Sequence, residues 1–374
     1  MTPLFSIRLV ISGGTDGRLR LWTPATPETQ PVELSRHHGP VRAVAVTPKG
    51  QVISGGTDGR VRLWTPATPE TQPVELGRHH GPVRAVAVVS DGRVISGGTN
   101  GWVRMWNPSA GEALPVDLGR HHCVVRAVAV TSDGQVVTCA SDGQLRMWTL
   151  TPDAEPVALG QHCGATLAAL EGGRVVSGGY DGRVLVWEPT TPDAEPVELG
   201  GHDGTVTAVA VLPKRQVISG GTDGRLRVWE PPEPETATPE PDPDQAEIGH
   251  HELGVNAVAV LLDGRVVSGG DDGHVRVWNP ATPGSPQVVL GSHGDWVNAI
   301  QVLPDGQVVS GGTDGWVRLW DADKREDSGL VACTVQALAA GATQSGGNLL
   351  AIAHTSGGFS TWVHYSRPER PEAG

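Results

Sequence analysis

The chain of 374 residues contains only two phenylalanines and two tyrosines, and it has no long apolar run. With so few large rings, a folded core must be built from valine, alanine, leucine and isoleucine. The apolar runs are far shorter than the roughly 20 residues that a helix needs to cross a bilayer. The sequence therefore predicts a soluble protein whose core consists mainly of small aliphatic side chains.

Positive charge and closely spaced cysteines are also scarce. The formal net charge is −13, whereas a surface for nucleic acid or anionic membrane needs a basic footprint. The four cysteines, Cys123, Cys139, Cys163 and Cys333, include no C-x-x-C pair of the kind that holds a metal. No signal peptide is recognisable. We therefore expect a cytoplasmic protein with no nucleic-acid or membrane partner, no metal and no cofactor.

What the chain does contain is a repeat built on tryptophan. The segment Ile53–Trp64, with the sequence ISGGTDGRVRLW, recurs along the chain, and residues 11–46 match residues 53–88 almost completely, which indicates a recent internal duplication. The repeat tryptophans are Trp22, Trp64, Trp106, Trp148, Trp187, Trp229, Trp278, Trp320 and Trp362. The intervals between them are 42, 42, 42, 39, 42, 49, 42 and 42 residues. A period of this length indicates an array of small β units.

Each repeat contains four short runs that are typical of β-strands. In the repeat that begins at Val41 they are Val41–Val46, Gln51–Ser54, Arg60–Trp64 and Pro73–Leu76, separated by turns and loops rich in Gly, Pro, Thr and Asp. The first run does not alternate between polar and apolar residues, as expected for a strand covered on both faces. Four strands per unit predict one propeller blade. The predicted fold class is therefore all-β, a single closed β-propeller of four-stranded antiparallel blades.

Two segments fall outside the repeat. Residues 230–245 form an acidic, proline-rich tract that explains the 49-residue interval. Such a tract cannot bury enough apolar surface to order itself, so we expect a solvated loop; the alternative is a docking segment for a basic partner. The predicted domain division is a partial repeat at 1–30, the propeller at 31–365 and a disordered tail at 366–374.

A histidine before the first strand, then Ser-Gly-Gly-Thr-Asp-Gly, then Val-Arg-Leu-Trp resembles the WD-repeat β-propeller family, and the resemblance covers essentially the whole chain. It implies a hydrogen-bonded set of four side chains that braces each blade. Asn100 replaces the aspartate in one set, so we expect that blade to be softer. The sets are His37, Ser54, Asp58, Trp64; His79, Ser96, Asn100, Trp106; His121, Thr138, Asp142, Trp148; His162, Ser177, Asp181, Trp187; His202, Ser219, Asp223, Trp229; His251, Ser268, Asp272, Trp278; and His293, Ser310, Asp314, Trp320.

Two chemical alternatives to this structural role were weighed. Ser, His and Asp are the components of a hydrolase triad, but seven near-copies in seven blades indicate a brace, so we predict no catalytic residues and no enzyme. The second histidines of three doubled pairs, His38, His80 and His122, offer a metal ring. Neighbouring blades place these spare side chains too far apart to converge easily.

The number of blades has two solutions. In the first, the outer strand at Pro31–Leu34 pairs with the C-terminal strands of Thr334–Trp362, which gives eight blades and leaves residues 1–22 as a surplus hairpin. In the second, the first and last repeats form two incomplete blades, and the ring has nine. Two incomplete blades side by side expose unpaired strand edges, so we favour eight. A chain that begins inside a longer array would also explain the abrupt start at Met1.

Residues that vary against the constant scaffold are the candidates for partner binding. Most repeats carry arginine after the Asp-Gly turn, as at Arg60, and the exceptions stand out. Exposed tryptophan is typical of binding hot spots; the alternative is that Trp296 and Trp316, expected on one blade and one face, simply cover the blade edge. The candidates are Trp102, Tyr180, Asp271, His274, Trp296 and Trp316.

Three functions were compared. The first is a non-catalytic scaffold or sensor that binds a protein or peptide on the face around the central channel. The near-identical repeats and the composition of the chain look like those of the propellers attached to bacterial signalling ATPases and kinases. This resemblance implies such an effector domain in a longer or neighbouring gene product. The second is a lectin-like or small-ligand propeller, for which the tryptophans are too unevenly placed. The third is a propeller enzyme, which needs convergent acids or metal ligands that we do not find. We favour the first.

Overall fold

A computed structural model describes residues 9–22, 32–66, 68, 71–110, 114–151, 154–191, 194–232, 247–303, 306–322, 326–331, 339–342 and 348–352. These residues form strands, turns and three short 3-10 segments at Pro108–Ala110, Glu171–Gly173 and Pro213–Arg215. Within the described part of the chain, no helix has the length and apolar character needed to cross a membrane. The all-β class is confirmed.

The strands follow the repeat. Their bounds are β1 (Leu9–Gly13), β2 (Arg18–Trp22), β3 (Val32–Arg36), β4 (Val41–Val46), β5 (Val52–Gly56), β6 (Arg60–Trp64), β7 (Val74–Arg78), β8 (Val83–Val88), β9 (Val94–Gly98), β10 (Trp102–Trp106), β11 (Val116–Arg120), β12 (Val125–Val130), β13 (Val136–Ala140), β14 (Gln144–Trp148), β15 (Val157–Gln161), β16 (Gly164–Ala169), β17 (Val175–Gly179), β18 (Arg183–Trp187), β19 (Val197–Gly201), β20 (Val206–Val211), β21 (Val217–Gly221), β22 (Arg225–Trp229), β23 (Glu247–His250), β24 (Val255–Val260), β25 (Val266–Gly270), β26 (His274–Trp278), β27 (Val288–Ser292), β28 (Val297–Val302), β29 (Val308–Gly312), β30 (Trp316–Asp321), β31 (Glu326–Val331), β32 (Ala339–Ala342) and β33 (Asn348–Ile352).

These strands form eight sheets, which confirms the predicted blade count. Seven are four-stranded antiparallel sheets in sequence order, and we number them blades 1 to 7: β4–β7, β8–β11, β12–β15, β16–β19, β20–β23, β24–β27 and β28–β31. The eighth, blade 8, has five strands in the order β3-β2-β1-β33-β32. The inner strand of each of blades 1 to 6 contacts the inner strand of the next blade, and blade 8 contacts both β4 and β28.

Burial explains why valine and alanine dominate the inner strands. In blade 1, β5 is buried at every position and β4 at all but Arg42, whereas β7 is largely exposed. The core therefore lies between blades. The tryptophan of one blade packs into the preceding blade, where a β-carbon added to Gly77 would lie 2.4 Å from Cζ3 of Trp106. Glycine in the outer strand makes room for the indole.

Blade 8 corrects our account of how the two ends of the chain meet. We expected residues 1–22 to be a surplus hairpin and Pro31–Leu34 to pair with the C-terminal strands. Instead, β1 and β2 form the middle of the sheet, and β3 pairs with β2. The inner position is filled by β33, which pairs with β1 in parallel, with Leu9 opposite Leu349. Within the described residues the hairpin has no inner strand of its own, and β33 satisfies the exposed backbone edge of β1.

Candidate functional site

Two kinds of connection lie on the same side of each of blades 1 to 7. The outer strand of one blade leads through a histidine loop into the inner strand of the next, and an aspartate turn joins the second and third strands. Because the strands are antiparallel, both connections lie at the same ends of the strands; we call this side the upper face, and the opposite side the lower face. In blade 1 the histidine loop spans 37–40 and the aspartate turn spans 57–59.

The histidine loop and the aspartate turn of blade 1 are joined by a chain of side-chain hydrogen bonds. Trp64 Nε1 donates to Ser54 Oγ at 2.6 Å. Ser54 Oγ lies 2.8 Å from His37 Nε2, and His37 Nδ1 lies 2.9 Å from Asp58 Oδ1. The backbone amides of His38 and Arg60 also donate to Asp58, at 3.1 Å each. The predicted set of four residues therefore meets, with two backbone donors added.

The directions of these bonds fix the protonation of the set. Trp64 only donates and Asp58, when ionised, only accepts, so Ser54 donates to Nε2 of a neutral His37 that donates from Nδ1. Burial lowers the pKa of His37 below its ordinary value, against the opposing effect of Asp58. Burial alone would raise the pKa of Asp58, but the hydrogen bonds from His37 and the two amides hold it well below its ordinary value. The site is thus a satisfied brace rather than an active nucleophile.

Blades 5, 6 and 7 repeat this arrangement. His202 Nδ1 lies 2.9 Å from Asp223 Oδ1, and His293 Nδ1 lies 3.0 Å from Asp314 Oδ1. In the same blades, Ser219 and Ser310 accept from Trp229 and Trp320 at 2.7 Å each. Blade 6 has the equivalent bonds at 2.6 to 2.8 Å. These four residues of each blade therefore connect the strands to the upper face, and their hydrogen bonds to one another do not identify a binding partner.

Blade 2 shows what the asparagine changes. His79 Nδ1 lies 3.3 Å from Asn100 Oδ1, longer than its counterpart in blade 1. The amide nitrogen Nδ2 of Asn100 is buried without a hydrogen-bond partner. Burial, together with the charge of Arg104, lowers the pKa of His79 to about 4. The neutral amide cannot collect the donors that the carboxylate of Asp58 collects.

Blade 3 departs from the prediction, although all four residue types are present. His121 Nε2 accepts from Thr138 at 2.7 Å, but His121 Nδ1 is buried with no partner. Asp142 accepts only the backbone amide of Gln144, at 3.1 Å, among the bonds within the described chain. Burial lowers the pKa of His121 to about 4. The expected bond between His121 and Asp142 is therefore missing.

We attribute the missing bond to one methyl group. Ala140 ends β13 where Gly56 ends β5. A β-carbon added to Gly56 would lie 2.4 Å from His37 Nδ1 and 2.6 Å from Asp58 Oδ1, so it would stand between the bonded atoms. Ala140 carries this methyl in blade 3, so by analogy with blade 1 we infer that it keeps the imidazole and the carboxylate apart.

In blade 4 the imidazole is turned over. His162 Nδ1 faces Ser177 Oγ at 2.6 Å, and Nε2 faces Asp181 Oδ1 at 3.1 Å. The histidine loop is two residues shorter than in blade 1, since His162 stands two residues before β16 and His37 four before β4. The shorter loop presents the ring from another direction, and both bonds are still made.

Sequence reasoning missed a fifth member of the set. Arg62 is buried and donates from Nη1 to the carbonyl of Arg36 at 2.9 Å, while the same atom lies 3.6 Å from Asp58 Oδ2. It joins the third strand of one blade to the outer strand of the preceding blade. The signal was an arginine two residues before seven of the nine repeat tryptophans. It recurs as Arg20, Arg62, Arg104, Arg146, Arg227, Arg276 and Arg318, and blade 4 has Leu185 instead.

A second repeated feature connects neighbouring blades on the upper face. The backbone amide of His79 donates to the carbonyl of Gly59 in the preceding aspartate turn at 2.7 Å, and the equivalent bonds of the other six histidine loops span 2.8 to 2.9 Å. Gly59 has φ +76°, and a β-carbon there would lie 2.5 Å from the carbonyl oxygen of His79. Only glycine permits this close approach. The upper face is thereby held as a series of linked turns.

Trp296 and Trp316 lie beside this linked framework in blade 7. Trp296 is in the histidine loop and is 52% exposed; Trp316 begins β30 and is 37% exposed. The carbonyl of Trp296 accepts from the amide of Thr313 at 2.9 Å, and the amide of Trp316 donates to Asp314 at 3.0 Å. The guanidinium carbon of Arg318 lies 5.8 Å from the centroid of the Trp316 ring. Both backbones are fixed while both rings face solvent.

Asp271 and His274 lie on the upper face of the neighbouring blade 6. Asp271 Oδ1 accepts from Asn256 Nδ2 at 2.6 Å, so part of this carboxylate is already occupied. His274 is partly exposed, and its Nδ1 lies 3.0 Å from the carbonyl oxygen of Asp272. Leu253, in the histidine loop of the same blade, is 54% exposed and was missed because a lone leucine in a loop carries no sequence signal.

The remaining two candidates lie apart from this pair of blades. Tyr180 is 46% exposed in the aspartate turn of blade 4. Trp102 begins β10 in blade 2 and is only partly exposed, with the Arg104 guanidinium carbon 5.7 Å from its ring centroid. The structure thus brings Asp271, His274, Trp296 and Trp316 onto two adjacent blades, and leaves Trp102 and Tyr180 elsewhere on the face.

Other predicted features lie outside the described residues or away from these candidates. Most of the acidic tract at 230–245, the tail at 366–374, Cys333 and Trp362 are outside the described ranges. Within those ranges, no group of three or more His, Cys, Asp or Glu side chains could hold a metal ion. A groove of about 360 Å³ lies on the lower face between blades 2 and 3, lined by Asp91, Arg93 and Asp133 among others. It includes none of the predicted site residues.

Comparison with known proteins agrees with this geometry. The crystal structure of the C-terminal WD40 domain of Sif2 matches with a TM-score of 0.63 and 20% sequence identity, over 76% of this chain and 82% of that one. At this identity the likeness concerns the fold alone. No curated protein sequence matches the chain.

The family evidence is direct. The model of the family "WD40: WD domain, G-beta repeat" matches residues 29–65, 71–107, 115–149, 195–230, 244–279 and 284–321. No match falls between 150 and 194, a range that contains the shortened histidine loop and the first three strands of blade 4, with leucine in place of arginine. The matches cover more than half of the chain, and the repeat, the eight sheets and the bonded His, Ser and Trp side chains agree with them. The chain belongs to the WD40 family of β-propellers.

Proposed function

We propose that this propeller is a non-catalytic scaffold that holds a protein or peptide partner on the upper face of blades 6 and 7. WD40 domains generally serve as protein-interaction scaffolds, and this chain carries the backbone brace on which such a surface rests. The proposal goes further, because it assigns the face and the residues.

The observation that carries the proposal is the placement of Trp296 and Trp316. Two indoles stay exposed, whereas every other tryptophan whose burial the structure describes is buried or half-buried. An exposed indole leaves a large apolar area in water, and burial of that area on binding returns a large favourable free energy. The fixed backbones reduce the entropy lost when the rings become ordered in a complex. Trp296 and Trp316 thus combine a large exposed apolar area with a backbone that is already fixed before binding.

The surrounding residues support the same assignment. Leu253 adds apolar surface in blade 6, and His274 and Asp271 add polar groups beside it. An apolar centre with a polar border is the usual composition of a protein-binding patch. The position equivalent to Trp316 is arginine in most other blades, as at Arg60, glutamine at Gln144 and tryptophan again at Trp102 in blade 2, so identical pockets of the lectin type are not repeated around the face.

The cellular setting is a second part of the proposal. Cys123 and Cys163 are free thiols, which suits a reducing cytoplasm. An effector ATPase or kinase domain, encoded in a longer or neighbouring reading frame, would then be the element controlled by partner capture. The reading frame upstream of Met1 tests this directly, because an in-frame effector domain or an adjacent effector gene is expected there.

The face is tested with a double variant and a matched control. Trp296→Ala with Trp316→Ala is expected to lose capture of partners from native lysate, because each hot-spot tryptophan contributes about 2 kcal/mol or more. Leu114→Ala with Leu262→Ala removes two exposed apolar side chains from lower-face loops and is expected to capture normally. Both variants should melt within a few degrees of the wild type. Equal capture by the two double variants would show that blade 7 is not the binding face.

A further inference from the structure

The second residue of each inner strand occupies a special position. In blade 1, Val41 is opposite Gly56 and Ala43 is opposite Gly55, so Arg42 is the extra residue of a β-bulge. The same register shift occurs at the start of the inner strands of blades 2 to 7. A bulge aims its extra side chain differently from the rest of the strand. It does so here at the upper end of the innermost strands.

Blades 5 and 6 show where such a side chain reaches. Thr207 Oγ1 donates to the carbonyl of Gly220 in its own blade at 2.9 Å and to the carbonyl of Val255 in the next blade. Asn256 Nδ2 likewise donates to the carbonyl of Val297 in the next blade at 3.2 Å. The position therefore spans the junction between two inner strands, and a short polar side chain there is satisfied by the protein itself.

Blades 1, 2 and 3 carry arginine at this position instead. Arg42, Arg84 and Arg126 lie on β4, β8 and β12, which are neighbours, with β8 in the middle. All three side chains are partly buried. Within the described residues Arg84 has no hydrogen bond or ion pair, and its Nε is buried without a partner. Burial first, and then the charges of Arg42 and Arg126, lower its pKa.

This arrangement is unfavourable for the protein alone. Three like charges converge on adjacent strands, and the central one has no counter-charge in the described structure, although the chain carries an excess of acidic residues. Partial burial of an unpaired cation costs free energy. A guanidinium group presents a planar fork of donors that matches the two oxygens of a carboxylate or a phosphoryl group. An oxyanion supplied from outside would therefore relieve the cluster.

We propose that Arg42, Arg84 and Arg126 form an oxyanion site at the upper ends of the inner strands, which receives an acidic side chain of the protein or peptide partner. The site deepens the proposed scaffold function and depends on it. Its ligand chemistry is a carboxylate or a phosphoryl group, which is held chiefly by Arg84 and supplies the counter-charge that Arg84 lacks within the described residues. The equivalent positions Thr207, Asn256 and Asn298 carry no charge, so the acidic group is directed towards blades 1 to 3.

A protein ligand fits the charges better than a nucleic acid. Nucleic-acid surfaces extend a basic stripe along many phosphates, whereas here three arginines are confined to one end of three strands in a chain of net charge −13. A single acidic residue, or a short acidic run, is of the size that this cluster can neutralise. Binding of a single-stranded oligonucleotide in preference to acidic peptides would contradict the assignment.

The test measures fluorescence anisotropy with three labelled peptides. One is hexaglutamate, one carries a single phosphoserine in a Gly/Ser sequence, and one is the unphosphorylated copy. The full chain is expected to bind one or both of the anionic peptides, more weakly as salt increases, and to ignore the neutral copy. The anionic peptide that binds more tightly shows whether a carboxylate or a phosphoryl group is preferred.

The variants separate this site from general surface charge. Arg84→Gln is expected to weaken binding about tenfold, as loss of one charge-assisted hydrogen-bonded contact does, and Arg84→Lys to give a smaller loss. Arg225→Gln removes the same charge from the upper face in blade 5, where Arg225 lies 3.5 Å from Glu247, and should bind as the wild type does. Arg84→Gln should also melt no lower than the wild type, because Arg84 makes no bond that is lost.

Two results overturn the proposal: no binding of either anionic peptide by the wild type, or equal weakening by Arg84→Gln and Arg225→Gln. These results leave the scaffold function standing if the double tryptophan variant still loses capture. Conversely, normal capture by the tryptophan variant, with loss of anionic peptide in Arg84→Gln, would refute the blade 7 assignment and keep the arginine site. The two proposals thus fail separately.

Discussion

Blades 1 and 3 carry equivalent bracing side chains, with Thr138 of blade 3 in the place of Ser54, yet only blade 1 completes the chain of hydrogen bonds. His37 reaches Asp58 at 2.9 Å, whereas His121 Nδ1 has no partner. The difference lies in a neighbour that takes no part in the bonding, since glycine in blade 1 becomes Ala140 in blade 3. The brace therefore depends on empty space at the end of the second strand as much as on its polar groups.

The neighbouring position shows how such a change is accommodated. A β-carbon added to Gly55 would lie 2.5 Å from the side chain of Val83 in the next blade. Blade 3 has Cys139 at this position, and the next inner strand begins with Gly164 where β8 begins with Val83. Compared with blade 1, the side chain near the end of the second strand is larger in blade 3, and the side chain that faces it from the next blade is smaller. No comparable decrease in size compensates for the methyl group of Ala140, so the contact between His121 and Asp142 is lost.

The largest effect is expected from moving the methyl group of blade 3 into blade 1. Gly56→Ala should lower the free energy of unfolding by about 3 kcal/mol, because the methyl both overpacks the site and separates His37 from Asp58. Gly56 does not have a positive φ, so backbone strain is not the cause. Urea unfolding followed by tryptophan fluorescence measures the change.

The control for that variant uses a glycine with free space around it. A β-carbon added to Gly284, in the loop between β26 and β27, would meet no atom within 4 Å, although its φ of +78° makes alanine somewhat strained. Gly284→Ala should therefore cost about 1 kcal/mol from backbone strain alone. A loss in Gly56→Ala no larger than this would refute the steric explanation.

The next effect concerns pH. The pKa of His121 and that of His79 lie at about 4 in the folded chain, below the ordinary value of about 6.5. As pH falls through 6.5 the unfolded chain takes up these protons first, so stability is lost from there down to about pH 4. Each histidine should contribute a loss of about 1.5 kcal/mol between pH 6.5 and pH 5.

This loss is assigned to its residue by variants in one loop. His121→Gln should reduce the decrease in unfolding free energy between pH 6.5 and pH 5, whatever it does to stability at neutral pH. His122→Gln removes the exposed histidine beside it and should retain the wild-type decrease. Identical pH profiles for wild type and His121→Gln would contradict the assignment.

Blade 2 offers a gain of stability. Asn100→Asp should restore a carboxylate to His79 and give Arg104 a second acidic partner, which is expected to raise the free energy of unfolding by about 1 kcal/mol at pH 7. Asp223→Asn in blade 5 is the reverse change and should lower it by at least as much, because His202, Asp203 and Arg227 all bond to that carboxylate. Changes of the same sign in the two blades would refute the role given to the charge.

The sequence predicted most of this architecture because its signals are local and periodic. Turn residues and β-branched runs located the strands, and the resemblance to the WD-repeat family identified the bonded side chains. The pairing of β33 with β1 was not foreseen, since the segment around β33 lacks the repeat motif and parallel pairing leaves no mark in sequence. The consequence of Ala140 was also missed, although the residue is visible. It follows from an approach between two side chains that only coordinates reveal.

The exposed candidate site was less predictable for a related reason. Trp296 and Trp316 were identified because they interrupt a constant pattern, whereas Leu253 and the cluster around Arg84 were not. Arg42, Arg84 and Arg126 are themselves part of the repeat and look like scaffold. Their meaning depends on a bulge, on the order of three strands and on the absence of a counter-charge near Arg84 within the described residues. A functional residue that recurs in the repeat is therefore difficult to distinguish from the scaffold by sequence alone.

The smallest effect on stability is expected from repairing blade 3, and it gives the clearest test of the comparison. Ala140→Gly removes the methyl between His121 and Asp142. The new charge-assisted hydrogen bond should stabilise the fold by about 1.5 kcal/mol, while glycine in a strand costs about 0.5 to 1 kcal/mol, so the two nearly cancel. The decisive readout is therefore the pKa of His121, measured by NMR, which should rise from about 4 because a carboxylate now accepts from Nδ1. Ala140→Gly combined with Asp142→Asn should return the pKa towards the wild-type value. An unchanged pKa in the single variant would mean that something other than the methyl group keeps the imidazole and the carboxylate apart.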